Sequence, residues 1–140
     1  MVERTARATW NGALPSGDGS LALGSGAFEG PYDFRSRFEE GEATNPEELL
    51  GAAHAGCFSM ALAGELDRAD YDPDSVETEA TVHLEEGEDG WTITRSHLDT
   101  VVEVEGIDDE EFQSLAEEAK ENCPVSRALG VEKTLDAELR

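Results

Sequence analysis

Residues 44–62 read TNPEELLGAAHAGCFSMAL, and this stretch decides the fold. Thr44 or Asn45 is a helix cap, Pro46 suits the first helical position, and Glu47 and Glu48 suit the positive end of the helix. An apolar stripe follows through Leu49, Leu50, Ala53, Phe58, Ala61, Leu62 and Leu66. Pro73 bars continuation, so the helix is predicted to end near Ala69 or Asp70. It would be long for a chain of 140 residues and should form the central buried element. Small residues crowd its middle: Gly51, Ala52, Ala53, Ala55, Gly56, Ser59 and Ala61. Among them sits Cys57, one of only 2 cysteines and the best candidate for chemistry.

Working outward, the flanks read mostly as strands. Residues 3–10 alternate in the manner of a first strand, Asn11-Gly12 and Pro15 to Gly19 are turn chemistry, and Ser20 to Leu23 is a second strand. Tyr32 to Phe38 is predicted as a third, with Arg35 and Arg37 on one face. After the helix, Ser75 to Leu84 alternates as a half-buried strand and Trp91 to Val104 supplies a longer one. Asp108 or Asp109 caps a helix from Glu110 to about Glu121, Pro124 opens a short helix VSRAL, and Val131 to Leu139 closes as a strand. Consecutive strands with short turns predict an α+β fold, largely antiparallel, in one domain over residues 1–140.

Charge excludes several partners. The 33 acidic residues against 10 basic ones leave a formal charge of −23, and this field repels nucleic acid and anionic membrane. The acids are spread through patterned segments, which argues against an acidic disordered tail and for a folded protein of a high-salt cytoplasm. No apolar run approaches the roughly 20 residues of a transmembrane helix. The N-terminus MVERTARATWNG lacks an apolar signal core, so a cytosolic location is expected.

The two thiols, Cys57 and Cys123, form no CxxC pair, and unpaired core residues are one reading of them. Cys57 lies mid-helix, where the dipole helps little, and a thiolate there needs a nearby cation such as Arg35 or Arg37. Cys123 precedes a helix start, which on local physics makes it the more acidic thiol. His54 and Cys57 share a helix face and with Cys123 could ligate zinc, although a lone HxxC is a weak signature. His83 and His97 read as surface residues. There is no phosphate-binding loop and no GxGxxG motif.

Three runs together, RFEEGEATNPEELLGAAHAGCFSMAL at 37–62, ENCPVSRAL at 121–129 and TLDAEL at 134–139, resemble the OsmC/Ohr family of thiol-dependent peroxidases. The likeness to its OsmC branch covers the whole chain, from TWNG at 9–12 through SGAFEGPYDFRSRFE at 25–39. The resemblance implies an intertwined homodimer with curved, largely antiparallel sheets around long central helices. It implies reduction of organic hydroperoxides, and more weakly of hydrogen peroxide, without a cofactor. Carried over by position, Cys57 resembles the peroxide-attacking cysteine and Cys123 the resolving one. Arg37 resembles the arginine that stabilises the thiolate, and Glu47 the glutamate that orients it. The resemblance implies an external dithiol, lipoyl-type rather than thioredoxin, as reductant. Glu47 and Cys57 are ten residues apart on the helix, about 15 Å. A bend near Gly51 to Gly56, or a site shared between two subunits, would therefore be needed, and a site at the dimer interface is expected. The competing expectation is a non-catalytic, stress-linked dimer whose cysteines are core residues.

Overall fold

The computed structural model describes every residue, Met1 to Arg140, and the chain divides into two compact units, Met1–Leu49 and Leu50–Arg140. The division falls within the long helix.

In the first unit, β1 (Ala6–Asn11), β2 (Asp18–Leu23) and β3 (Glu29–Tyr32) form an antiparallel meander in the order β1-β2-β3. Gly19 pairs with Trp10 on one side and Tyr32 on the other. Those rings meet across it at 5.5 Å, and a Cβ on Gly19 would stand 2.5 Å from Tyr32. Glycine is thus what lets the aromatic pair close. Most of β1 and half of β2 are exposed, so this sheet buries little within the chain.

The predicted third strand is corrected. Strand β3 stops at Tyr32, and residues Phe34–Phe38 form a short helix, α1. Asp33 is the reason. Its carboxylate accepts the Ser36 N–H at 2.7 Å while its own N–H donates to Ser36 Oγ at 2.9 Å, a reciprocal cap that turns the chain out of the sheet.

Helix α2 (Pro46–Arg68) starts and ends as expected. Asn45 Oδ1 accepts the Glu48 N–H at 2.7 Å, and Asp70 closes the end in the left-handed conformation, φ 67°. One expectation about it does not hold. Leucine, alanine and methionine make α2 long and apolar enough, by length and composition, to cross a membrane. Glycine and alanine lend this hydropathy without forming a recognisable apolar block. Only 28% of its most apolar window is buried, so it is less central to the chain's own core than its pattern suggests.

In the second unit, β4 (Ser75–Gly87) and β5 (Gly90–Glu103) form a long antiparallel hairpin, and β6 (Glu132–Leu139) adds to β5 in parallel. The crossover that parallel pairing needs is supplied by α3 (Asp109–Asn122) and α4 (Pro124–Ala128). Asp108 caps α3, accepting the Glu111 N–H at 2.8 Å. The core joins Phe58, Leu62 and Leu66 of α2, Leu98 and Val102 of β5, and Phe112, Ala116 and Ala119 of α3. Cys123 lies in the same buried cluster.

Candidate active site

In the first unit, α1 and the start of α2 bring a cation and a carboxylate together. Arg37 donates from Nε and Nη2 to the same oxygen, Glu47 Oε1, at 3.1 and 2.9 Å. The Glu47 side chain is 8% exposed against 40% for Arg37, so a nearly buried carboxylate is held by a cation that still reaches solvent. The other carboxylate oxygen, Oε2, is buried and without a hydrogen bond. Asn45 fixes the two elements to each other. Its amide donates to Ser36 O at 2.9 Å while its Oδ1 caps α2. The Arg37 guanidinium also lies 5.2 Å from the Phe38 ring centroid, within cation–π range.

The helical conformation of α1 separates the two arginines that a strand would align. Residues two apart on a helix point to nearly opposite sides. Arg35 accordingly bonds Glu40 O at 3.3 Å and pairs loosely with Glu39 at 3.9 Å on the exposed side, leaving Arg37 alone with Glu47.

In the second unit the two cysteines meet. Both are free thiols, and Cys57 is in hydrogen-bonding contact with Cys123. The start of α4 serves both sulfurs: Val125 N–H donates to Cys57 Sγ at 3.5 Å and Ser126 N–H donates to Cys123 Sγ at 3.4 Å. The expectation that Cys57 receives nothing from a helix start is therefore corrected. Its own helix gives it no donor, but α4 supplies one from 68 residues away in sequence. Burial nevertheless pushes the Cys57 thiol above its ordinary pKa. The Val125 N–H opposes that shift, and the neighbouring Cys123 thiol adds to it. A Cys57 thiolate at neutral pH thus needs a positive charge that these groups do not provide.

His54 also belongs to this unit, one helical turn before Cys57. It is wholly buried, with Nδ1 2.7 Å from Ser96 Oγ and Nε2 2.7 Å from Ser126 Oγ. Both ring nitrogens are occupied by serine hydroxyls, so a zinc ion shared with Cys57 would have to break one of these bonds. Ser96 and Ser126 carry no motif in the sequence. The available signal was the alternation of β5, which turns polar Ser96 and Thr100 inward beside Leu98 and Val102. A separate group of metal-capable atoms lies across β5 and β6. His97, Asp99 and Asp136 each bring one within 4.8 Å of the others, and the imidazole also bonds Thr134. Both aspartates there are exposed, and none of the three touches the cysteines' hydrogen bonds described above.

Comparison with known proteins agrees with this geometry. The family model described as OsmC-like protein matches residues 39–138. Peroxiredoxin OsmC of Escherichia coli strain K12 is 43% identical over 140 residues, covering 99% of this chain and 98% of that protein. The organic hydroperoxide resistance protein OhrB of Bacillus subtilis strain 168 is 34% identical over 92 residues, 64% of this chain and 65% of that protein. The crystal structure of OhrB from Bacillus subtilis matches with a TM-score of 0.68 at 27% identity, over 97% of this chain and 98% of that one. An OsmC-like protein from Vibrio cholerae matches with a TM-score of 0.78 over 98% of this chain and 99% of that one. At 18% identity, that second likeness is one of fold: α+β, with two sheets and helices.

Proposed function

The chain belongs to the OsmC-like family and is a peroxidase-type enzyme, and on that premise we propose that it reduces organic hydroperoxides through Cys57 and Cys123. Hydrogen peroxide is the weaker substrate. The observation that carries this reading is the contact of two reduced thiols, each with a backbone N–H on its sulfur.

The Cys57 thiolate attacks one peroxide oxygen. The O–O bond breaks, the alkoxide leaves and takes a proton, and Cys57 becomes a sulfenic acid. Cys123 then attacks that sulfur, expelling hydroxide and closing a disulfide. An external dithiol of the lipoyl type opens it again by thiol exchange. Arg37 stabilises the thiolate and the charge developing on the peroxide oxygens, and Glu47 holds the guanidinium in place. The need for Arg37 follows from the burial that raises the Cys57 pKa. The site uses no cofactor.

The working unit is a homodimer, with the site where two copies meet and residues 1–140 acting as one domain in the cytosol. Three features support pairing. Helix α2 leaves most of its apolar window uncovered, Met60 on it is 80% exposed, and β1 is exposed almost throughout. Apolar surface of this kind favours association with a second copy over hydration.

The test is peroxide consumption driven by dihydrolipoamide, with tert-butyl hydroperoxide as substrate. Wild type turns over, Cys57→Ser does not, and Cys123→Ser reduces one equivalent and stalls as the sulfenic acid. Unchanged turnover in Cys57→Ser ends this reading and leaves the non-catalytic dimer in its place.

A further inference from the structure

The resolving step has a proton to dispose of. Cys123 is 1% exposed, and a neutral thiol is a poor nucleophile. Its S–H donates to Ser126 Oγ at 3.2 Å. Ser126, itself 1% exposed, lies 2.7 Å from His54 Nε2, and His54 Nδ1 lies 2.7 Å from Ser96 Oγ. These four side chains form one continuous buried chain of hydrogen bonds. One arrangement runs through it in a single direction: Cys123 S–H to Ser126 Oγ, Ser126 O–H to His54 Nε2, and His54 Nδ1–H to Ser96 Oγ. A hydroxyl both donates and accepts, so Ser126 can pass a proton on, whereas a carbonyl or carboxylate at this position could only receive one.

We infer that Ser126 and His54 relay the proton of the resolving cysteine. This rests on the roles assigned to Cys57 and Cys123 above. As Cys123 Sγ attacks the sulfenic sulfur, its proton passes to Ser126 Oγ while the Ser126 hydroxyl proton passes to His54 Nε2. The S–S bond forms and the S–O bond breaks. The Cys57 sulfur is formally reduced by one electron and the Cys123 sulfur oxidised by one. Hydroxide departs and takes a proton from solvent, giving water. The imidazolium later releases its proton to solvent, so the exchange balances. Ser126 touches the reacting sulfur and is catalytic in this step. His54 acts through it and is a positioning residue that also stores the proton.

The surroundings keep His54 ready to accept. Burial lowers its pKa, and the positive charge of Lys133 on β6 lowers it further. The titratable groups nearby are Cys57 on its own helix and Cys123 at the start of α4, and Lys133 is the charged group whose field reaches it. His54 is therefore neutral at neutral pH and somewhat below it. A relay of this kind contributes about 10²- to 10⁴-fold to a proton-transfer step.

The experiment separates the two half-reactions. Reduced protein is mixed with tert-butyl hydroperoxide and quenched in acid at intervals. Sulfenic acid is counted by dimedone trapping and disulfide by loss of free thiol, both by mass spectrometry. In wild type, resolution is nearly independent of pH from 6 to 8. His54→Gln can still bond both serines but cannot take the proton. It should lower the ratio of resolution rate to sulfenic acid formation rate by about a hundredfold or more. Its resolution should also rise about tenfold per pH unit, because solvent hydroxide must now remove the proton. Ser126→Ala should behave alike, and Ser126→Thr, which keeps the hydroxyl, should recover most of the loss. If His54→Gln does not fold, the two Ser126 variants decide the matter. A wild-type ratio and a flat pH profile in Ser126→Ala overturn the relay while leaving the peroxidase reading intact. Failure of wild-type Cys57 to oxidise at all overturns the peroxidase reading itself, and the relay with it.

Discussion

Arg37 illustrates how a functional cation is made specific at the scale of one residue. Guanidinium groups on an acidic surface ordinarily pair loosely with exposed carboxylates, and Arg35 does so. Arg37 differs because its partner is buried and accepts both its Nε and Nη2 bonds on one oxygen. Arg37→Met removes the charge while keeping much of the side-chain length. It should lower kcat/KM for tert-butyl hydroperoxide by about 10²- to 10³-fold, the magnitude typical of losing one preorganised charge stabiliser. The same change should move the pH midpoint of Cys57 alkylation by iodoacetamide upward. The sign follows from burial, which already disfavours the thiolate and would then act unopposed. An unmoved midpoint with full activity would remove Arg37 from the mechanism.

At the scale of the element, the small helix α1 is where local chemistry overrides pattern. The segment Tyr32 to Phe38 alternates apolar and polar residues as a strand would, and alternation predicts one. The competing signal is Asp33 three residues before Ser36, a capping pair that satisfies two backbone donors at once. Helical geometry then sends Arg35 and Arg37 to different sides, which no strand reading could foresee. Ser36→Ala deletes half of the cap and leaves the Asp33 N–H without its partner. It should cost about 1 kcal/mol of stability in urea denaturation. It should also reduce activity more than that loss explains, because Arg37 is then held less firmly. Helix α2 is the contrasting case. Asn45, Pro46 and the paired glutamates all point the same way, so its start was readable to the residue.

At the scale of the whole molecule, the charge of −23 governs the conditions under which the fold persists. Repulsion among so many carboxylates is screened in concentrated salt and felt over roughly 30 Å at 0.01 M. Far-ultraviolet circular dichroism should show native structure at molar salt and its loss at millimolar salt. A spectrum and melting curve that do not change across that range would sink the high-salt origin. Pairing acts at the same scale. Equilibrium sedimentation at molar salt should give the mass of two chains, and a dilute monomer that keeps full activity would contradict a shared site.

The sequence by itself determined the order of elements, the ends of α2 and α3, and the identity of the two cysteines. Caps, prolines and alternating faces act within a turn or two of chain, so they are written locally. What only the tertiary structure decided spans long separations: β6 pairs in parallel with β5, and Val125 reaches Cys57 from 68 residues away. Ser126 closes on His54 from 72. Such contacts are selected by burial. A polar group carried into the core must find a partner there, wherever in the chain that partner lies. Cys57 was therefore legible as a thiol on a helix of small residues, while the hydrogen-bonded surroundings that define its chemistry were not.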